Sequence, residues 1–198
     1  MKTAMYIHGY GSDGNAVKGQ LLRKMLSGWR VLTPTLDYDH SSPWKIQQQI
    51  SDAVAENDVR MIVGSSFGGY HSLCAMSFFR GTLWAINPVH DAVGTISRIV
   101  LQKNTASQET KIFLDGYKDF NNRAFVPLSK RNREGGWPSD AKINFALSTD
   151  DELLGDHSPL LQLFPVHNSV VWKDHSGHSF MRFNELHEDI LKSVSLSC

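Results

Sequence analysis

The sequence predicts an α/β fold: a three-layer α/β/α sandwich around a mostly parallel sheet of about six strands. Two observations carry this. Short apolar runs alternate with longer stretches of helical period along the 198 residues. Strands separated by helices join in parallel through right-handed crossovers. The strand runs are apolar nearly throughout, as strands covered on both faces are.

The elements follow in order. T-A-M-Y-I-H (3–8) reads as a buried strand. The stretch 15–26 puts Val17, Leu21, Leu22, Met25 and Leu26 on one helical face. R-V-L-T-P-T-L (30–36) is a second strand, with Pro34 near its end. Ser41 or Ser42 caps a helix over 43–55, with Pro43 at its first position. V-R-M-I-V-G (59–64) is a third strand and 70–79 a third helix. The runs 82–88, 143–148 and 168–173 complete the strands, and a last helix over 179–194 turns Phe180, Phe183, Leu186, Ile190 and Val194 inward.

One domain, residues 1–198, is expected. Within it the connection 89–142 breaks the rhythm, opening with a helical pattern and ending in the polar S-K-R-N-R-E-G-G-W-P-S-D. Connections of that length are usually functional, and it is read as a cap or cleft wall inserted in the domain.

Composition narrows the function. Twenty basic and twenty acidic side chains cancel, so no overall field draws the protein to nucleic acid or an anionic membrane. The basic run Lys130, Arg131 and Arg133 reads as solvated loop. Only Cys74 and Cys198 are present, too few for a disulfide framework and suited to a reducing compartment. No apolar run approaches the ~20 residues of a membrane span, and the start lacks a signal-peptide core. A cytoplasmic, soluble protein is expected.

The chemistry is carried by G-S-S-F-G-G-Y at 64–70, between a predicted strand and a predicted helix. Gly64, Ser66 and Gly68 match G-x-S-x-G, the turn that pushes a serine out of a sheet as a nucleophile. Gly64 and Gly68 flank Ser66 because the turn leaves room only for small residues. The N–H of Phe67 points into the same space. Ser65 is out of register and reads as a buried hydroxyl. A nucleophilic serine needs a base, and the base an orienting acid. In this architecture the chain order is serine, acid, histidine. The slot after the next-to-last strand holds T-D-D-E-L-L, with Asp150 and Asp151. The slot after the last strand holds D-H-S-G-H-S-F, with His175 and His178.

The opening loop H-G-Y-G-S-D-G admits two readings. Gly9, Gly11 and Gly14 fit the G-x-G-x-x-G of a dinucleotide turn, with Asp37 placed for a ribose hydroxyl. His8-Gly9 also fits the turn that offers a backbone N–H, here that of Tyr10, to an oxyanion. The second reading uses Ser66 and the acid and histidine slots as well; the first leaves them without purpose. His8 is expected to orient the turn through a hydrogen bond.

Y-I-H-G-Y-G-S, V-G-S-S-F-G-G-Y, A-I-N-P, T-D-D-E-L-L and G-H-S-F fall in order across nearly the whole chain. With these motifs the sequence resembles the α/β-hydrolases, in particular the short bacterial YqiA-like esterases; the stretch 89–142 shows little of their pattern. The resemblance implies a minimal α/β-hydrolase fold, without the antiparallel strands that open larger relatives. It implies Ser66 as nucleophile, Asp151 as acid through the D-E-hydrophobic turn, and His178 as base through the G-H-x-F step. Tyr10 and Phe67 would supply the oxyanion hole. The implied activity is a serine esterase acting on a small carboxylic ester, with a thioesterase or an acyl transferase using the same triad as alternatives; the opening G-x-G-x-x-G leaves a dinucleotide-binding reductase as the remaining one. No metal or organic cofactor is implied; His175 and His178 have ligand-like spacing but no supporting H-E-x-x-H or cysteine pair.

Overall fold

The computed structural model describes residues 1–103 and 108–195. Residues 104–107 of the insertion, and the C-terminal residues including Cys198, lie outside the described residues.

Six strands form one wholly parallel sheet in the order β2-β1-β3-β4-β5-β6. They are β1 (Thr3–Ile7), β2 (Arg30–Leu32), β3 (Val59–Ser65), β4 (Thr82–Ile86), β5 (Lys142–Ser148) and β6 (Ser169–Lys173). The helices are α1 (Val17–Met25), α2 (Pro43–Asn57), α3 (Phe67–Ala75), α4 (Ala92–Lys103), α5 (Gln108–Phe120), α6 (Val126–Arg133), α7 (Ser158–Leu163) and α8 (His187–Ser195).

The two-residue period of a strand divides the apolar residues between two cores. Met5, Ile7, Ile62, Leu83, Ile143 and Phe145 face a cluster built with α2 to α7. Ala4, Tyr6, Met61, Val63, Trp84 and Ile86 face the other, filled by Leu22 and Met25 of α1 and by Phe183, Leu186 and Ile190 toward the C-terminus. Every residue of β1 and β4 is buried, which is why these strands read as apolar runs without alternation. Among the described residues no helix is long and apolar enough to cross a membrane.

Several boundaries differ from the sequence reading. Of the two candidate caps, Ser42 takes the position: its hydroxyl accepts the Lys45 N–H, and Pro43 fits the first turn because its missing N–H has no helical partner there. β2 ends at Leu32, before Pro34, which has no N–H to continue a ladder. The third helix starts at once with Phe67 rather than at residue 70, because the elbow feeds straight into it. The last helix starts late. Gly177 and Phe180 both have positive φ (59° and 48°), so turns and a 3₁₀ segment, Phe183–Leu186, precede α8.

The insertion between β4 and β5 is helical and packed. Tyr117, Phe120, Phe125 and Leu128 are buried in the first core. Pro127 removes one N–H from the run, and the register slips: Val126 N–H donates to Asn121 O, five residues back, in a π turn over Asn121–Phe125. Inside the core, His71 of α3 faces Gln47 Oε1 of α2 at 3.3 Å through Nδ1 and the Tyr117 hydroxyl of α5 at 2.9 Å through Nε2. An acceptor on one side and a hydroxyl on the other suit a neutral imidazole, and burial pushes the pKa of His71 down to about 3. This contact ties the insertion to the helix behind Ser66.

The basic run lies on α6, where Lys130 stands 3.8 Å from Glu134 and Arg131 Nε donates to Gly136 O. Trp137 Nε1 donates to Ala141 O and packs on the core.

Candidate active site

In this strand order β1 is followed by β2 on one side and flanked by β3 on the other. Open parallel sheets bind ligands at such a reversal, beyond the carboxyl ends of the strands. Ile7 of β1 pairs with Gly64 of β3, so the Gly9-Tyr10 loop and the turn at Ser66 emerge side by side.

Ser66 sits on that turn with φ 55° and ψ −118°, a conformation that non-glycine residues adopt only under constraint. The constraints are visible. Its N–H donates to Ile86 O, and its carbonyl accepts the N–H groups of Tyr70 and Val89. A Cβ on Gly64 would stand 2.1 Å from Ser72 Oγ and 2.5 Å from Gly68 O. On Gly68 it would stand 2.2 Å from Ile7 O and 2.4 Å from His8 O. Only glycine fits either place. Ser65 is buried, as expected for a hydroxyl facing inward.

Ser66 Oγ lies 2.7 Å from His178 Nε2, and His178 Nδ1 lies 3.0 Å from both carboxylate oxygens of Asp151. A carboxylate only accepts, so Nδ1 carries the hydrogen and Nε2 is left to accept from the serine. Asp151 Oδ1 also accepts the N–H groups of Leu153 and Leu154 at 3.0 and 2.8 Å. Burial alone would raise the Asp151 pKa. The approach of His157, together with the hydrogen bonds from His178 and the Leu154 N–H, outweighs it and holds the carboxyl well below the usual range.

The three neighbouring acids divide their partners. Asp150 turns away from the ring: its Oδ1 accepts the N–H groups of Ser176 and Gly177 and the Ser148 hydroxyl. Glu152 Oε2 accepts the His178 N–H at 2.7 Å. Asn87, after β4, donates to the carbonyls of Gly177 and His178 and accepts the Ser148 N–H. The loop carrying His178 is therefore fixed from β4 and β5 together. His175 is exposed, with φ 53°.

His8 does orient its turn. It is fully buried; Nε2 accepts the Leu36 N–H at 2.9 Å and Nδ1 lies 2.9 Å from Gly9 O. Gly9 passes close over Ser66, where a Cβ would lie 3.2 Å from the serine Cβ. Tyr10 and Phe67 have ring centroids 6.0 Å apart. Phe67 opens α3, where N–H groups have no partner within the helix. Of the glycines expected for a dinucleotide turn, Gly14 donates its N–H to Thr35 Oγ1 and has no room for a Cβ against Thr33 O. Asp37 faces His40 at the surface. Phe113 and Tyr117 of α5 lie 6.4 Å from the Tyr10 ring and 5.0 Å from the Phe67 ring. A cavity of about 630 Å³ opens at the opposite, amino edge of the sheet beside Lys2, Trp29, Arg60 and Arg80.

Besides the clasp of Glu152 and Asn87, the sequence reading missed a side chain beside the triad acid. His157, wholly buried, brings Nε2 to 3.3 Å from Asp151 Oδ2. A signal existed in its position, six residues after Asp151 in the same post-strand loop, but nothing in the local pattern says which way the ring points.

The fold is shared with solved hydrolases. MGS-MChE2, an alpha/beta hydrolase enzyme from the metagenome of sediments from the lagoon of Mar Chica, Morocco, is 16% identical with a TM-score of 0.65, covering 98% of this chain and 92% of its own. Est1E from Butyrivibrio proteoclasticus is 12% identical with a TM-score of 0.67, covering 98% and 88%. A monoacylglycerol lipase from Paleococcus ferrophilus is 12% identical with a TM-score of 0.68, covering 96% and 92%. At such identities the likeness establishes the α/β-hydrolase fold. No curated protein matches the sequence significantly. Residues 3–194 match Uncharacterised protein family (UPF0227), the YqiA-like group that the sequence motifs resemble, and the chain belongs to that family.

Proposed function

We propose that the protein is a serine esterase working by two-step acyl transfer. The observation that carries this reading is the hydrogen-bonded line Ser66–His178–Asp151, set on a strained turn at the sheet reversal. His178 takes the proton of Ser66 as Oγ attacks an ester carbonyl, and Asp151 stabilises the imidazolium. The tetrahedral oxyanion rests on the N–H groups of Tyr10 and Phe67, the loss of one of which costs about 3 kcal/mol in the transition state. The alcohol departs with the proton from His178, and water then releases the acyl group by the same route. The insertion 89–142 walls the cleft: the half-buried Phe113 stands beside the ring of Tyr10 and sets the acyl size accepted.

An esterase and a monoacylglycerol lipase among the solved structures of like fold support ester chemistry. The dinucleotide reading is disfavoured because Gly14 is packed on Thr33 and its N–H is already bonded to Thr35.

The test is steady-state hydrolysis of a series of p-nitrophenyl esters, acetate to octanoate, with an acyl thioester alongside. Saturable ester cleavage that disappears in Ser66→Ala supports the reading. Equal rates in wild type and Ser66→Ala overturn it.

A further inference from the structure

Asp151 is surrounded by donors, and one of them belongs to no part of the mechanism above. Its carboxylate is fully shielded from solvent, a placement that is unfavourable unless the oxygens are hydrogen-bonded. Oδ1 is satisfied from the backbone by Leu153 and Leu154. His178 approaches both oxygens. On the Oδ2 side stands His157, whose side chain is as buried as the carboxylate.

His157 has no well-aligned hydrogen bond at either ring nitrogen. Burying a histidine without partners is costly, and Asp151 Oδ2, 3.3 Å from Nε2, is its nearest acceptor. The nitrogen facing a carboxylate must carry the hydrogen, so Nε2 is the donor and Nδ1 is left as a bare acceptor. Hydrogen bonds within catalytic groups are often long and poorly aligned in the free enzyme and tighten as charge develops. The Trp172 ring, 6.3 Å away by centroid, flanks the imidazole.

We infer that His157 is a positioning residue for the proposed reaction: its Nε2–H holds Asp151 Oδ2, fixing the carboxylate in the plane that meets His178 Nδ1. Asp151 is then gripped from three sides, by backbone N–H groups, by His178 and by His157, and cannot rotate away when His178 takes the serine proton. The inference rests on the esterase reading, since it assigns His157 through the role of Asp151.

The experiment compares His157→Gln with His157→Asn in the full chain. A glutamine amide nitrogen reaches where Nε2 stands; the asparagine amide ends short of Asp151. Measured on a p-nitrophenyl ester, His157→Asn is expected to lose roughly ten- to a hundredfold in kcat with KM within about twofold, as small misplacements of catalytic groups do. His157→Gln is expected to recover to within about threefold of wild type. Equal losses in the two variants, or none in either, overturn the inference, and thermal melts identify a loss that merely follows unfolding. Labelling of wild-type Ser66 by a fluorophosphonate separates the two levels. A labelled wild type with an unimpaired Asn variant ends the His157 inference alone, whereas an unlabelled, inactive wild type ends the esterase reading and this inference with it.

Discussion

Ser66 Oγ and His178 Nε2 are 112 residues apart in the chain and 2.7 Å apart in space. The distance is set by two unrelated devices. One is the turn between β3 and α3, which exposes the serine. The other is the clasp of Asp150, Glu152 and Asn87 on the backbone around His178. Each device makes its own prediction.

The turn stores strain. Ser66 holds φ 55° at ψ −118°, which typically costs on the order of 1–3 kcal/mol for a residue with a Cβ. Ser66→Gly is expected to be more stable than Ser66→Ala by about 1 kcal/mol or more, with both variants inactive. Urea unfolding midpoints at matched slope measure the difference.

The glycines on either side have no slack. Gly64→Ala puts a methyl 2.5 Å from a backbone oxygen, and Gly68→Ala puts one 2.2 Å from another. Each is expected to destabilise by about 3 kcal/mol, at the upper end of overpacking. Gly11→Ala makes the contrast. Its added methyl meets nothing within 4 Å, but φ is +71°, so the expected loss is about 1 kcal/mol, from backbone conformation alone. Thermal melts of the three variants rank them.

The neighbouring aspartates are expected to separate cleanly. Asp151→Asn removes the acceptor of the His178 Nδ1–H, and kcat for ester cleavage is expected to fall about 10⁴-fold. Asp150→Asn removes only part of the loop clasp, for an expected loss of about tenfold. Comparable losses in kcat would contradict the division of roles.

Acid weakens the fold through histidines and carboxylates whose pKa values are depressed in the folded state, His71 and Asp151 among them. His71 titrates at 6.5 when unfolded and is held at about 3 by burial. Between those values the unfolded chain binds the extra proton, so stability drops by about 1.4 kcal/mol per pH unit as pH falls. Asp151 is depressed below the ordinary carboxylate range. Its contribution is complete above about pH 4 and is lost as pH falls below that. Urea unfolding from pH 7 to pH 4.5 is expected to show the His71 part, and His71→Gln is expected to flatten it. Parallel curves for the two proteins would contradict this.

Much of this architecture was legible in the sequence. Strands buried on both faces announce themselves as apolar runs, and the elbow is written in adjacent residues, Gly64 to Gly68. The order of serine, acid and histidine slots follows from which strand each loop leaves. The illegible parts depend on loops meeting in space. Glu152 and Asn87 act on residues that follow other strands, and no local pattern records that; His157 shares a loop with Asp151, but the direction of its ring is set only by the folded packing. The late start of the last helix rests on the positive φ of Phe180, a buried aromatic that helical periodicity places mid-turn. The packing of the insertion hangs on His71, Gln47 and Tyr117, three polar residues whose pairing needs the tertiary structure.

The central claim is that Ser66 is an activated nucleophile, and covalent labelling by a fluorophosphonate, read by intact mass, tests it most directly. One adduct on wild type is predicted, absent in Ser66→Ala and far slower to form in His178→Ala and Asp151→Asn. A folded wild type that takes no adduct, or an adduct that persists in Ser66→Ala, would contradict the account.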